Sequence, residues 1–311
     1  MGGSGGTFGR ETPQSLRDRV RRSQERTRDA ASEAEVARTL GELLGNYNSR
    51  DTQLVRERLT DLKEALEGSI EGTVDQIFGG SVAKNTYIDG LSDIDSLVLI
   101  NETDLEAKTP QAALAHMERS ISDGVEGDVT IEKGRMAVTV KYQDGMTIQL
   151  LPAIREKEGR LRVPSSRQDG WSNIDPTAFS DALTRHNQQC RNKLVPTIKL
   201  AKAINGKLPE AQRLSGYHME SLGIEAFRGY QGDSTTSAML PVFFERARDL
   251  VLTPIRDRTG QSVHVDDYLG PANNPARVAV SHVMDRIARR MRNATAAGSI
   301  TQWQAMFGLD E

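Results

Sequence analysis

Phe78-Gly79-Gly80-Ser81-Val82-Ala83-Lys84-Asn85-Thr86 is followed closely by Ser92-Asp93-Ile94-Asp95-Ser96-Leu97-Val98-Leu99-Ile100. These two stretches decide the fold. Phe78 closes a short apolar run that reads as a strand, the glycine pair reads as a turn, and Ser81 opens a short helix. The second stretch reads as a strand opened by two carboxylates, and its apolar run predicts cover on both faces. Asp93 and Asp95 stand two apart, so on a strand they project to one face, where they can share or bridge metal ions. Gly79 and Gly80 let the backbone approach phosphate oxygens. Ser81 adds a hydroxyl at a helix N-terminus. Twelve residues separate Ser81 from Asp93, room for a short helix and a return into the neighbouring strand. Either half alone is a common pattern. In succession they point to a nucleoside triphosphate site, with Gly80 and Ser81 on the phosphates and Asp93 and Asp95 as the catalytic, magnesium-binding pair.

Upstream, Leu54, Leu59, Leu62, Leu66 and Ile70 form one apolar stripe, predicting a long helix that runs into the glycine turn as a spine. Val36, Leu40, Leu43 and Leu44 repeat at helical spacing before it. Residues 13–35 predict a solvated helix with Arg17, Arg19, Arg21, Arg22, Arg26 and Arg28 interspersed among acids. Downstream, strands are expected over 129–131, 136–142 and 146–151, with a helix over 111–121 carrying Leu114, Met117 and Ile121. Gln143-Asp144-Gly145 suits a hairpin, and Pro152 is expected to end the strand run. A mixed sheet with helices on one face follows. Residues 156–172 read as a polar loop crossing between lobes. Helices are then expected over 177–186, 188–205, 215–230, 237–252 and 276–297. The sum is an α+β chain with a flexible segment and helix over 1–49, a sheet lobe over 50–170 and a helical lobe over 171–311. The site falls in the cleft between the lobes.

The totals set bounds. The chain has 311 residues, 37% hydrophobic and 27% charged, the balance of a soluble globular protein. No apolar run approaches the roughly 18–20 residues of a membrane span. The Gly/Ser-rich start lacks the apolar core of a signal peptide. A single cysteine, Cys190, excludes an intramolecular disulfide and a Cys-rich zinc site, and suits a cytoplasmic location. The net charge of −3 gives no reason to expect tight nucleic-acid binding.

Lys199 and Lys202 lie three apart on an expected helix and share a face. Ser215 and Tyr217 open another helix, where the hydroxyl suits a phosphate and the ring suits a base. Glu220 reads as a residue that secures its helix. His116, His186, His218, His264 and His282 lack metal-site spacing. Asp266 and Asp267 read as turn or cap residues. Arg286, Arg289, Arg290 and Arg292 read as a solvated helix end.

At the Gly-Gly-Ser and Asp-x-Asp residues the sequence resembles the polymerase-β-like nucleotidyltransferases. More narrowly it resembles the bacterial cyclic GMP–AMP synthase-like enzymes, cyclic-oligonucleotide synthases of anti-phage signalling. Arg191-Asn192-Lys193-Leu194-Val195-Pro196-Thr197-Ile198-Lys199-Leu200 resembles the helix that carries lysines toward the triphosphate. Leu214-Ser215-Gly216-Tyr217-His218-Met219-Glu220-Ser221-Leu222 resembles the next helix, and Thr259 to Gly270 the late turn before the last long one. The resemblance spans roughly residues 50 to 295. It implies a sheet lobe with a long N-terminal spine helix facing a helical lobe. The nucleotide site it implies holds Gly80, Ser81, Lys199, Lys202, Ser215 and Tyr217, with Mg2+ (or Mn2+) on Asp93 and Asp95. Implied substrates are ATP, GTP or pyrimidine triphosphates, and the implied product is a cyclic di- or trinucleotide. A regulatory or activating protein partner is also implied. The missing Cys-based zinc ligands and the acidic net charge argue against activation by nucleic acid. Transfer to a protein, an antibiotic or an RNA end, and a catalytically weak nucleotide sensor, are the alternatives.

One position departs from the family. In Thr147-Ile148-Gln149-Leu150-Leu151-Pro152-Ala153, Gln149 stands where the resemblance implies a third carboxylate. Its amide can offer a carbonyl oxygen to a metal but carries no charge and is a very poor base. Either Gln149 coordinates or orients the acceptor, or another acid such as Glu132 or Asp144 approaches, or catalysis is weakened.

Overall fold

The computed structural model describes residues 13–48, 52–72, 74–78, 88, 94–156, 160–165, 169–260 and 262–309. The fold grows from two helices and a mixed sheet. Helix α1 spans Pro13–Tyr47 and α2 spans Thr52–Glu67. Strands β1 (Asp75–Phe78), β2 (Ile94–Leu99), β3 (Val129–Lys133), β4 (Val138–Tyr142) and β5 (Thr147–Arg155) line up in the order β1-β2-β5-β4-β3. Only β2 and β5 run parallel; the other neighbours are antiparallel. Helix α3 (Pro110–Gly124) follows β2. Thr109 caps it by accepting the Ala112 N–H, and Pro110 supplies the fixed φ of a first turn.

Period two divides the sheet's faces. Ile94, Val98, Val138, Val140, Ile148 and Leu150 turn to one side and form a core with Val55, Leu59, Leu62, Leu66 and Ile70 around α2, and Leu114, Met117 and Ile121 of α3. Each such side chain contributes about 1.5–3 kcal/mol on burial. The helices therefore cover one face, as expected. The expected stripe holds at Leu59, Leu62, Leu66 and Ile70, but Val55 rather than Leu54 enters the core. The helix does not run into the glycine turn: it stops at Glu67, with Ile70 buried just beyond it and β1 following. Gly124 is where α3 crosses α2: a Cβ there would lie 2.7 Å from that of Ala65. The opposite face is apolar at one end only, where Leu97, Leu99, Ala153, Leu161, Val163 and Ile174 gather. Strand β2 is thus covered on both faces at its C-terminal end and on one face at Asp95.

Two expectations in this lobe are corrected. β5 does not end at Pro152 but continues to Arg155. Its pairing with β4 stops at Leu150, so the missing proline N–H falls beyond the ladder with that neighbour. Residues 156–172 are not all loop. β6 (Leu161–Pro164) pairs with the end of β5, and β7 (Trp171–Ile174) pairs with β6. The Gln143-Asp144-Gly145 hairpin stands, with Gly145 at φ 89°.

The second lobe is helical: α4 (Pro176–Gln189), α5 (Leu194–Gly206), α6 (Gly216–Ala226), α7 (Thr236–Leu250), α8 (Pro275–Ala296) and α9 (Ile300–Ala305). The helix expected over 188–205 is interrupted. Arg191 and Asn192 sit in the left-handed region at φ 49° and 61°, so α5 starts at Leu194. The core of this lobe is built from Ile198 and Leu200 of α5, Met219 and Leu222 of α6, Phe243 and Phe244 of α7, and Met284 and Met291 of α8. Val36, Leu40 and Leu43 of α1 belong to the same core, so the two N-terminal helices serve different lobes.

Candidate active site

Asp95 is the second residue of β2. It is half-buried and lies on the face away from α2 and α3, while its neighbours Ile94 and Ser96 are buried on the other. The parallel register places Asp95 beside Gln149 of β5. Gln149 pairs in turn with Thr139 of β4, and Thr139 with Glu132 of β3. One row of side chains thus crosses four strands on one face. Strands lie about 4.8 Å apart, so Gln149 is the next group to any ion held by Asp95, whereas Glu132 is roughly 14 Å along the row. Glu132 is exposed and accepts from Lys141 Nζ at 2.8 Å on both oxygens. Asp144 is drawn to the helix-covered side by Arg58 of α2, 2.9 Å away, and this contact holds its carboxyl below the ordinary range. Of Glu132, Asp144 and Gln149, Gln149 is the one in register beside Asp95.

Among the described residues no three His, Cys, Asp or Glu side chains gather as a metal site. The donor chemistry nevertheless fits a hard divalent cation: the Asp95 carboxylate and the Gln149 amide oxygen stand in adjacent register positions. Gly80, Ser81 and Asp93 lie outside the described residues. Ile88, between the two motifs, is fully buried in the core of the helical lobe.

The candidate cations lie in the helical lobe. Lys199 and Lys202 share one face of α5 and are both nearly buried, at 9% and 8% exposure. Lys199 Nζ donates to the Asn48 side chain at the end of α1. Lys202 Nζ lies 3.3 Å from Glu220 Oε1 on α6, whose side chain is 1% exposed. The helices meet at Gly223, where a Cβ would lie 2.6 Å from the Ile198 side chain. That close approach is what brings Glu220 to Lys202. Lys202 also passes the first turn of α6: a Cβ on Gly216 would lie 3.5 Å from its Nζ.

Ser215 is the N-cap of α6; its Oγ accepts the His218 N–H at 3.2 Å. The Tyr217 hydroxyl donates to Asp257 Oδ1 at 2.7 Å, and its ring lies 4.8 Å from that of Phe179. Burial and the Asp257 carboxylate push the Tyr217 phenol up, so it stays protonated. Burial opposes ionisation of Asp257, but the hydrogen bonds from Tyr217, Thr259 and Ser262 outweigh it and lower its pKa. The spacing Asp257-x-Thr259 is an Asx turn, a signal that sequence reading passed over.

Tyr268 Oη accepts the Ser215 N–H at 3.2 Å and lies 2.9 Å from His218 Nδ1. On the other side of the ring, His218 Nε2 lies 3.6 Å from Asp266 Oδ2. His218 is fully buried, and burial drops its pKa to about 4 against the pull of Asp266. It is a neutral core residue. Asp266 is not a metal ligand either. It pairs with Arg277 at 2.6 Å, both wholly buried, and accepts the Ile255 N–H. Arg277 Nη1 also donates to the Val251 carbonyl. This knot ties the late turn to α8. Arg289 and Arg292 are engaged with Asp285 and Glu245, as a solvated helix end would be.

A mixed sheet with Asp95 on its open face, beside a helical lobe with two nearly buried lysines on one helix face, is an arrangement that fits a nucleotidyltransferase. Residues 35–187 match the family model described as the Second Messenger Oligonucleotide or Dinucleotide Synthetase domain. Those residues carry a domain of that synthetase family. No curated protein matches the sequence significantly. Solved structures do match in fold. CdnG of Bradyrhizobium diazoefficiens, in complex with GTP, aligns at TM-score 0.63 and 15% identity over 89% of this chain and 96% of that one. CdnC of E. coli MS115-1, in a complex with HORMA-deltaN, aligns at 0.60 and 17% over 85% and 93%. The cyclic AMP-GMP synthase DncV of Vibrio cholerae, bound to the linear intermediate 5′ pppA(3′,5′)pG, aligns at 0.61 and 12% over 96% and 91%.

Proposed function

We propose that this chain condenses nucleoside triphosphates into a cyclic di- or trinucleotide second messenger for anti-phage signalling, releasing pyrophosphate at each step. The observation that carries the reading is the register of Asp95 beside Gln149 on the open face of the sheet, within a synthetase-family domain. Asp93 and Asp95 would hold Mg2+, with Mn2+ as a substitute, and Gln149 would lend an amide oxygen. A bound divalent ion supplies charge neutralisation for the triphosphate and acidifies the acceptor ribose hydroxyl. Gly80 and Ser81 would receive the phosphates. Lys199 and Lys202 would neutralise the triphosphate from the helical lobe, Ser215 would turn the first turn of α6 toward it, and Tyr217 would face a base. The acceptor oxygen forms its bond to the α-phosphorus as the bond to pyrophosphate breaks, and the hydroxyl proton leaves to solvent. A second transfer of the same kind closes the ring.

The division into segments 1–49, 50–170 and 171–311 belongs to this reading, with α1 grouped beside the helical lobe by its packing. Substrates are ATP, GTP or pyrimidine triphosphates. The setting is cytoplasmic; no described helix is long and apolar enough to cross a membrane. A regulatory protein partner is proposed by analogy with the HORMA complex of the E. coli relative. The test is mass analysis of products from ATP, GTP, CTP and UTP, alone and mixed. A released cyclic di- or trinucleotide, lost in the Asp93→Asn, Asp95→Asn double variant, is the expected outcome. A modified protein or an open polymer, or unchanged turnover in the double variant, overturns the proposal.

A further inference from the structure

The helical lobe holds a second polar recess away from the sheet. It has a volume of about 660 Å³, within the range of small-molecule sites. Its lining includes four guanidinium groups, Arg185, Arg228, Arg256 and Arg258, against two carboxylates, Glu225 and Asp257. The carboxylates are already committed. Glu225 takes Arg228 on one oxygen at 2.8 Å and Arg258 on the other. Asp257 accepts from Tyr217, from the N–H and hydroxyl of Thr259, and from the N–H and hydroxyl of Ser262, all within 2.9 Å. Arg185 and Arg256 are exposed and have no acidic partner among the described residues. The recess therefore keeps two uncommitted, permanently charged forks.

Small side chains keep the recess open. Ala178, Ala182 and Arg185 stand at i, i+4 and i+7 along α4, so the arginine rises from a wall that is otherwise alanine. Pro254 and Ile255 give the other side apolar surface. Planar guanidinium groups grip phosphate bidentately and stack on aromatic bases. Phosphate affinity beside apolar walls, in a volume of this size, fits a phosphorylated compound of nucleotide dimensions. The larger recess between α2 and α3, about 790 Å³, is unsuited to that role because Asp61, Glu64, Asp123 and Glu126 line it.

We propose that the groove between α4, the end of α6 and the turn at 253–260 is a metal-independent binding site for a nucleotide or short oligonucleotide, held by Arg185 and Arg256. It shares Asp257 with Tyr217 but includes none of the sheet residues, and it stands on its own geometry whether or not the sheet carries the proposed reaction.

The test is calorimetric titration of the full chain in EDTA, with ATP and with 5′-phosphorylated ApA as probes. Binding by either probe is expected, with at least a tenfold loss of affinity in Arg185→Glu, Arg256→Glu and a smaller loss in Arg185→Gln, Arg256→Gln. Comparing the two probes distinguishes a mononucleotide from an oligonucleotide source. Thermal melts check that both variants are folded; the glutamine variant keeps the test decisive where the glutamate variant is not. Wild-type protein that binds neither probe without metal overturns the proposal. So does binding that survives both arginine variants but disappears in Lys199→Ala, Lys202→Ala. Groove-dependent binding of duplex DNA with no binding of ATP or of the dinucleotide overturns the assigned ligand class.

Discussion

The two lobes handle charge in opposite ways. On the sheet, Asp95 and Gln149 sit half-exposed on paired strands, where backbone pairing sets their spacing. In the helical lobe, Lys202, Glu220, Asp266 and Arg277 are all at most 8% exposed, and each charged group is placed by a partner on another element. The sheet holds Asp95 and Gln149 on a half-exposed face; the helices offer a rigid, prepaired frame. A strand can present a carboxylate to solvent at little cost. A buried charge is tolerable only when it is paired and hydrogen-bonded.

The sharpest break of that contrast is Asp95→Asn. It removes charge from a half-exposed strand position and keeps the side chain's shape. Turnover should therefore fall on the order of 10²–10³-fold or more while the melting curve stays in place. A pyrophosphate-release assay beside a thermal melt reads both. Asp266→Asn should do the reverse. It strands Arg277 in the core and should cost about 3–5 kcal/mol, seen as a lower midpoint in denaturant titration. A shift under about 1 kcal/mol would mean that solvent reaches this pair.

Lys202 tests whether the frame also touches substrate. Lys202→Met should lower kcat/KM by about 10²-fold and also destabilise the fold, because Glu220 loses its cation in a buried setting. Adding Glu220→Leu should restore much of the stability and none of the activity. Recovery of both would make the pair purely structural.

His218 gives the helical lobe a pH signature. Its folded pKa of about 4 lies below the free value of 6.5. Between those values the unfolded chain binds a proton that the folded chain refuses. Stability is therefore full above about pH 6.5 and is lost as the pH falls toward 4. Between pH 7 and pH 5 the loss from this residue should be about 2 kcal/mol. Unfolding titrations of wild type and His218→Gln at both pH values should show a flatter profile in the variant. The smallest effect belongs to Gln149→Asp. A third carboxylate in register with Asp95 should lower the Mg2+ concentration for half-maximal turnover about tenfold. Mn2+ titration followed by electron paramagnetic resonance should show the same tightening without turnover.

Much of the sheet side was legible in the sequence because strands have period two and the hairpin has turn residues. That period puts Asp95 and Ile94 on opposite faces before any coordinates. Gln149 was legible as an anomaly, but only the β2–β5 register shows that it stands next to Asp95 and that Glu132 and Asp144 do not. Pro152 misled because a proline interrupts a ladder only where a neighbour still needs its N–H. The break at Arg191 and Asn192 was hidden because neither residue is glycine. The β6–β7 hairpin was hidden in a polar stretch of short strands.

By itself the sequence determined the order of most elements, the two-residue spacing of Asp93 and Asp95, the absence of an intramolecular disulfide and the resemblance to signalling synthetases. Those depend on local spacing and composition. Tertiary structure alone decided which charges are committed: Glu220 to Lys202, Arg277 to Asp266, Glu225 to Arg228 and Arg258, and neither acid of the recess to Arg185 or Arg256. Such pairings join residues on different elements, and local periodicity carries no record of which side chain will meet which across a packed interface.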